Sequence, residues 1–294
     1  MGYLYLGLAL LAGAGKGFCG KRTSGLIKGF KGAALSNMIR MGFCVLFGLI
    51  MVIAGGEWGQ MAQNWTVIGI AALSGVSTAV LVITWLVSAR KSAYMLMDVF
   101  YTLAVLIPLI LSAIFFDERI KWTQWVGVCI LFAAVLLLCS YNNSVKTRLT
   151  PSALLILIVS GISNGLGDFS QKLFVKTSPE VPVSVFNLYT YLFAFLCLVI
   201  FLLFLKSDEK IEENAFRKIV GYIAVMALCL FAYSYFKTTA AGLLDSVLLY
   251  PLSQGAGMII ATTMAAVFFG EKITPRCLLG VATAFVGLLI INLL

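Results

Sequence analysis

Two carboxylates stand where a lipid-embedded chain can least accommodate them. Asp98 and Asp168 lie inside long apolar runs, and a two-carbon side chain cannot reach the interface from about 9 Å away. A charge left at the centre of a span costs about 2.5–3.5 kcal/mol on insertion scales, so each must be protonated, paired or facing a wet cavity. Lys16, Arg40 and Lys237 also fall within apolar runs, and Lys172 follows Asp168 by one helical turn. Lys16, Arg40 and Lys237 lie within about 5–11 Å of a loop at 1.5 Å rise per residue, so snorkelling to the interface is open to them. Depth groups Asp98 with Lys16 and Arg40 toward one membrane side, and Asp168 with Lys172 and Lys237 toward the other. The expectation is two ion-pair gates: Asp98 with Arg40 or Lys16, and Asp168 with Lys237 or Lys172. Spacing along the chain does not say which of them meet.

Polar groups near these charges are candidates for binding a solute. Tyr94 and Tyr101 stand at i−4 and i+3 from Asp98, on one helix face. A carboxylate between aromatic rings suits a cationic amine, whereas the nearby basic residues suit an anion, so the charge of a ligand stays open. Tyrosines this near a helix end also fit an interfacial belt. Tyr250, Ser253 and Gln254 form a second polar group, with Pro251 among them, and Pro108 stands in an earlier apolar run. Proline breaks can expose backbone groups to a ligand, although simple kinks are also tolerated in membranes. Glu118 and Glu271 sit in short polar turns and are expected to have a structural role, a carboxylate at a helix start being favoured by the helix dipole.

The surroundings of these residues set the class of protein. Hydrophobic residues make up 61% of the 294, charged ones 11%, and mean hydropathy is +1.03. A soluble domain carries about 25% charged residues, so lipid is the solvent this composition suits. Apolar runs fall near 2–20, 33–54, 67–88, 92–116, 123–140, 153–174, 183–205, 218–240, 246–269 and 276–294. Each is close to the ~20 residues that span hydrocarbon, and helix is the form that satisfies its own backbone there. The first run lacks a basic leader and a small-residue cleavage site, and is expected to be a retained span. Trp58, Trp65, Trp122 and Trp125 fall on one membrane side and read as an aromatic belt. Gly13 with Gly17, and Gly161 with Gly165, have the spacing of close helix packing, with cavity formation as the alternative.

The chain also repeats itself. Phe115-Phe116-Asp117-Glu118-Arg119-Ile120 matches Phe268-Phe269-Gly270-Glu271-Lys272-Ile273, and the match continues through Gly127/Gly280, Phe132/Phe285 and Leu136/Leu289. Phe18-Cys19-Gly20-Lys21 echoes Phe169-Ser170-Gln171-Lys172 at nearly the same separation. The halves are therefore 1–145 and 146–294, joined by a polar hinge. Five spans per half is odd, so the halves cross in opposite directions, the inverted repeat common in alternating-access transporters. Gln254 aligns with Tyr101 across this repeat. These motifs resemble the EamA-type drug/metabolite transporter superfamily over essentially the whole chain. The resemblance implies an all-α polytopic membrane protein of about ten helices, 5+5, with a central cavity lined by the third and fourth helices of each half and the first. It also implies cytoplasmic termini. Lys and Arg, however, are more numerous on the side of the first loop, which by the positive-inside rule places the termini outside.

Other classes fit less well. The net charge of +9 comes largely from basic residues between apolar runs, as in Lys21, Arg22, Lys28 and Lys31, which suits lipid headgroups rather than nucleic acid. There is no histidine, and the seven cysteines form no CxxC, so neither a zinc site nor a disulfide framework is expected. Gly15 to Lys21 satisfies GxxxxGK, but Arg22 replaces the magnesium-binding Ser or Thr, and the segment ends an apolar helix instead of following a strand. The expected function is secondary transport of a small metabolite or amphipathic compound, with any proton coupling through carboxylates, since no histidine titrates near neutrality. The rivals are an accessory membrane protein without transport and an intramembrane enzyme. Expected partners are a small-molecule substrate and the lipid bilayer of a bacterial plasma membrane, with a homodimer allowed. No cofactor is expected.

Overall fold

A peptide group in hydrocarbon has no water to bond, so each apolar run must satisfy its backbone within itself. The computed structural model describes residues 1–24, 29–61, 65–90, 100–101, 103–140, 151–205, 213–269 and 275–293, with helix throughout and no strand among them. Its helices are α1 (Gly2–Ser24), α2 (Phe30–Ala54), α3 (Trp65–Arg90), α4 (Leu106–Phe116), α5 (Trp122–Ser140), α6 (Pro151–Thr177), α7 (Val183–Phe204), α8 (Glu213–Leu243), α9 (Ser246–Phe269) and α10 (Pro275–Leu293). One 3-10 turn, Glu57–Gln60, precedes α3. Helices α2, α3, α6, α7, α8 and α9 are long and apolar enough to cross a membrane, and α4, α5 and α10 hold shorter apolar stretches. The expected spans recur within a few residues. The fourth is the exception: residues 100, 101, 103 and 104 are helical ahead of α4, and 91–99 lie outside the described residues, Tyr94 and Asp98 with them.

The prolines do not act alike. Helix α9 runs on through Pro251, the tolerated proline of the two alternatives that sequence left open. A lost amide at one position is tolerated when the neighbouring helices hold the rest of the turn in place. Pro108 lies in the first turn of α4, where an amide lacks an intrahelical partner anyway.

Packing runs mainly between the two halves. Helix α1 lies along α8, α3 along α6, and α5 along α10, while α2 contacts both α7 and α8. Exchanging the first five helices for the second five turns the α1–α8 contact into α6–α3. It likewise turns α4–α6 into α9–α1, which is also present. Ring contacts follow the same exchange: Phe169 lies 5.9 Å from Phe115, and Phe18 lies 5.7 Å from Phe268. One core cluster joins α2, α3, α7 and α8 through Met41, Cys44, Ala79, Tyr191, Leu198 and Phe231.

Close crossings explain several small residues. A Cβ on Gly165 would stand 2.7 Å from the Ala104 carbonyl oxygen, and one on Gly161 3.0 Å from that of Phe100. On α1, Gly13 faces the Tyr233 ring at 3.3 Å, whereas a Cβ on Gly17 would meet nothing within 4 Å. The tightest crossing is α3 on α7, where a Cβ on Gly75 would lie 2.4 Å from the Thr190 carbonyl oxygen. Backbone cannot step aside as a flexible side chain can. Gly75→Ala should therefore destabilise by about 1–3 kcal/mol, the usual scale of overpacking. An unchanged midpoint in thermal unfolding would show that this crossing is loose. Trp58, Trp65 and Trp122 project outward, strongly exposed, as a belt at the interface requires.

Candidate functional site

Helix α6 carries Asp168 into the bundle, where its Oδ1 accepts a hydrogen bond from Lys237 Nζ of α8 at 2.7 Å. Tyr233 lies one turn before Lys237 on the same face. The Lys237 ammonium stands 5.5 Å from the Tyr233 ring centroid and 5.4 Å from that of Tyr250, within cation–π reach of both. Tyr250, on α9, donates its hydroxyl to the Asp168 backbone carbonyl at 2.7 Å. Ser253, one turn further along, brings its Oγ to 3.5 Å from the Tyr233 hydroxyl. From α1, Lys16 Nζ sits 4.8 Å over the other aromatic partner, the Tyr233 ring. Arg40 of α2 turns toward α8 as well, its Nη1 3.9 Å from Met226 Sδ. Five helices from both halves thus converge on one charged cluster.

A second ion pair braces the end of the bundle. Lys172 Nζ lies 2.7 Å from Glu118 Oε1 and donates to the Leu244 carbonyl, just past the end of α8, at 2.7 Å. Glu118 Oε2 accepts from the Ser246 amide at the start of α9 at 2.8 Å. The Ser246 hydroxyl donates to Ser112 Oγ of α4, also at 2.8 Å. A cation on a helix C-terminus and a carboxylate on a helix N-terminus both oppose the helix dipole. One ion pair therefore holds both sides of the α8–α9 corner.

Spacing left two partners open for Asp168. Asp168 meets Lys237, and Lys172 is taken by Glu118. Glu118 does occupy a turn, but it sits on the N-terminus of α9 instead of that of the following helix α5. The Lys121 amide ahead of α5 donates to Gln124 Oε1 at 3.0 Å, so that helix start has its own acceptor. Tyr101 packs with Ala153 and Leu157 and accepts a hydrogen bond from Ser160 Oγ at 3.4 Å. Gln254 lines a small apolar cavity with Val105, Val128, Leu131, Phe132 and Pro251, so neither residue is among the Asp168 contacts. Asp98, Tyr94 and Glu271 lie outside the described residues. Tyr233 was not singled out by sequence, although its place at i−4 from Lys237 could have marked it.

The arrangement holds one ammonium on the Asp168 carboxylate, with the Tyr233 and Tyr250 rings and a second ammonium, that of Lys16, beside it. It is built to hold charge within a low dielectric. A solved crystal structure shares this fold, with a TM-score of 0.77 over 99% of this chain and 96% of its own, at 16% identity. None of the curated proteins matches the chain by sequence. Residues 151–293 match the profile of the EamA-like transporter family. With its apolar helices, that match makes the chain a multi-pass integral membrane protein. Over residues 151–293, just under half of its length, the chain is thus similar to the EamA-like transporter family.

Proposed function

We propose that the chain is a secondary transporter that moves a small metabolite by alternating access, with the Asp168–Lys237 cluster on its pathway. The observation that carries this reading is the cluster itself: four charged side chains turned inward from helices of both halves. Burying ions in this way costs several kcal/mol each, and intramembrane charges commonly mark transport pathways. The exchange-related helix contacts and ring pairs support a 5+5 inverted repeat, the architecture that rocks about a central site. Asp168–Lys237 serves as the gate pair of one side. Tyr250 and Ser253 border the substrate, and Asp168 is the carboxylate through which a proton would couple. The setting is a bacterial plasma membrane.

Reconstitution tests this directly. Proteoliposomes preloaded with a metabolite mixture should show counterflow of at least one labelled solute, and an imposed pH gradient should change its rate if protons are coupled. Protein that is folded yet moves no solute across a broad panel would overturn the reading.

A further inference from the structure

Among the described residues, charge in the cluster does not balance: Asp168 is the carboxylate, Lys237 holds it at 2.7 Å, and Lys16 and Arg40 turn inward toward α8 beside them. No described carboxylate pairs with Lys16 or Arg40. Both cations point inward, toward Tyr233 and Met226 of α8, so neither is snorkelling along its own helix to the interface. Lys16 lies within electrostatic reach of both Arg40 and Lys237. Arg40 Nε is buried and has no hydrogen-bond partner. A buried guanidinium edge without an acceptor costs more than an exposed one, and the planar fork fits carboxylate or phosphate oxygens in pairs.

We infer that the cluster binds a small organic anion, a carboxylate or a phosphate monoester, with its negative group between Lys16 and Arg40. The Tyr233 and Ser253 hydroxyls supply further hydrogen bonds, while Asp168 stays engaged with Lys237 and repels nothing. A cationic solute would instead meet Lys16 and Arg40, two cations that no described carboxylate neutralises. The assignment rests on the transport reading for why the anion is there, and it names the substrate class.

The test is thermal unfolding of the full-length protein in detergent at constant ionic strength. The probes are sodium benzoate, sodium phosphate and tetraethylammonium chloride. At least one anion should raise the midpoint, and tetraethylammonium should not. Arg40→Met and Lys16→Met should each weaken that anion by about tenfold or more, the scale of one lost charged hydrogen bond. Arg40→Lys, which keeps charge but loses the fork, should retain part of the response. Without ligand, Arg40→Met should unfold no earlier than wild type, because it removes an unpaired cation; that outcome separates a binding role from a structural one. The proposal is overturned if tetraethylammonium stabilises while both anions are inert, if neither anion shifts the midpoint, or if the anion response survives in both Met variants. It is also overturned if Arg40→Met lowers ligand-free stability as a broken ion pair would, which would assign Arg40 to Asp98. Flux of a cation without anion binding would remove the anion and leave transport standing. Anion binding without flux in vesicles would support the site and remove transport.

Discussion

Asp168→Asn should lower the folding free energy by about 3–5 kcal/mol, the measured scale for removing one partner of a buried ion pair. The change keeps size and shape, so packing alone would predict almost nothing. What it leaves is Lys237, 4% exposed, with two further cations nearby and no carboxylate at 2.7 Å. The cation–π contacts to Tyr233 and Tyr250 offset only part of this, since such contacts are worth about 2 kcal/mol when desolvated. Adding Lys237→Met should restore most of the loss, because a well-packed apolar residue in place of a broken pair is often neutral. Thermal unfolding of the two variants and the double variant decides it. A single variant as stable as wild type would mean that the pair is solvated.

Lys172→Met should have an effect of similar size, about 3 kcal/mol, for a different reason. Lys172 is 1% exposed and its partner Glu118 11%, so the pair is nearly dry. Removing the ammonium leaves Glu118 without its cation and takes the donor from the Leu244 carbonyl. Glu118→Gln should cost less, since an amide oxygen can still accept from the Ser246 amide. Acidity provides an independent check. Burial pushes the Glu118 carboxyl up, but hydrogen bonds from Lys172 and the Ser246 amide more than offset this and hold it below the ordinary carboxylate range. A carboxyl held low in the folded chain stabilises fully above its unfolded value of about 4.3, and that contribution disappears as pH falls through the folded value. Wild type should therefore lose stability on acidification below about pH 4, and Glu118→Gln should lose less. Identical acid profiles would remove Glu118 from this account.

Apolar run length was enough to place nine of the helices, because in lipid the backbone has only one way to satisfy itself. Depth along the helix was also readable, which is why Asp168 and Lys237 could be grouped before their contact was known. Partner choice was not. Lys172 and Lys237 are both within plausible depth of Asp168, and only the rotation of α6 and α8 about their axes gives one to Asp168 and the other to Glu118. Glu118 was legible as a turn residue, yet the helix it caps is a distant one in sequence. Pro251 stayed open for a related reason: sequence shows a missing amide, while the packing around α9 lies on other helices. Tyr233 was passed over because an aromatic in an apolar run looks like core until two ammonium groups are seen beside its ring.

The pairing of α1 with α8 and of α3 with α6 bears on how the molecule is made. A ribosome delivers α1 long before α8 exists, so Lys16 enters the bilayer with neither its ring partner nor its neighbouring carboxylate yet synthesised. The nascent first half must carry its cations in lipid, headgroups or insertion machinery until the second half arrives. Completion of α8 is then the step at which those charges leave the membrane's care and become part of the protein's interior. The contacts of α1 with α8 thus wait on the synthesis of the second half.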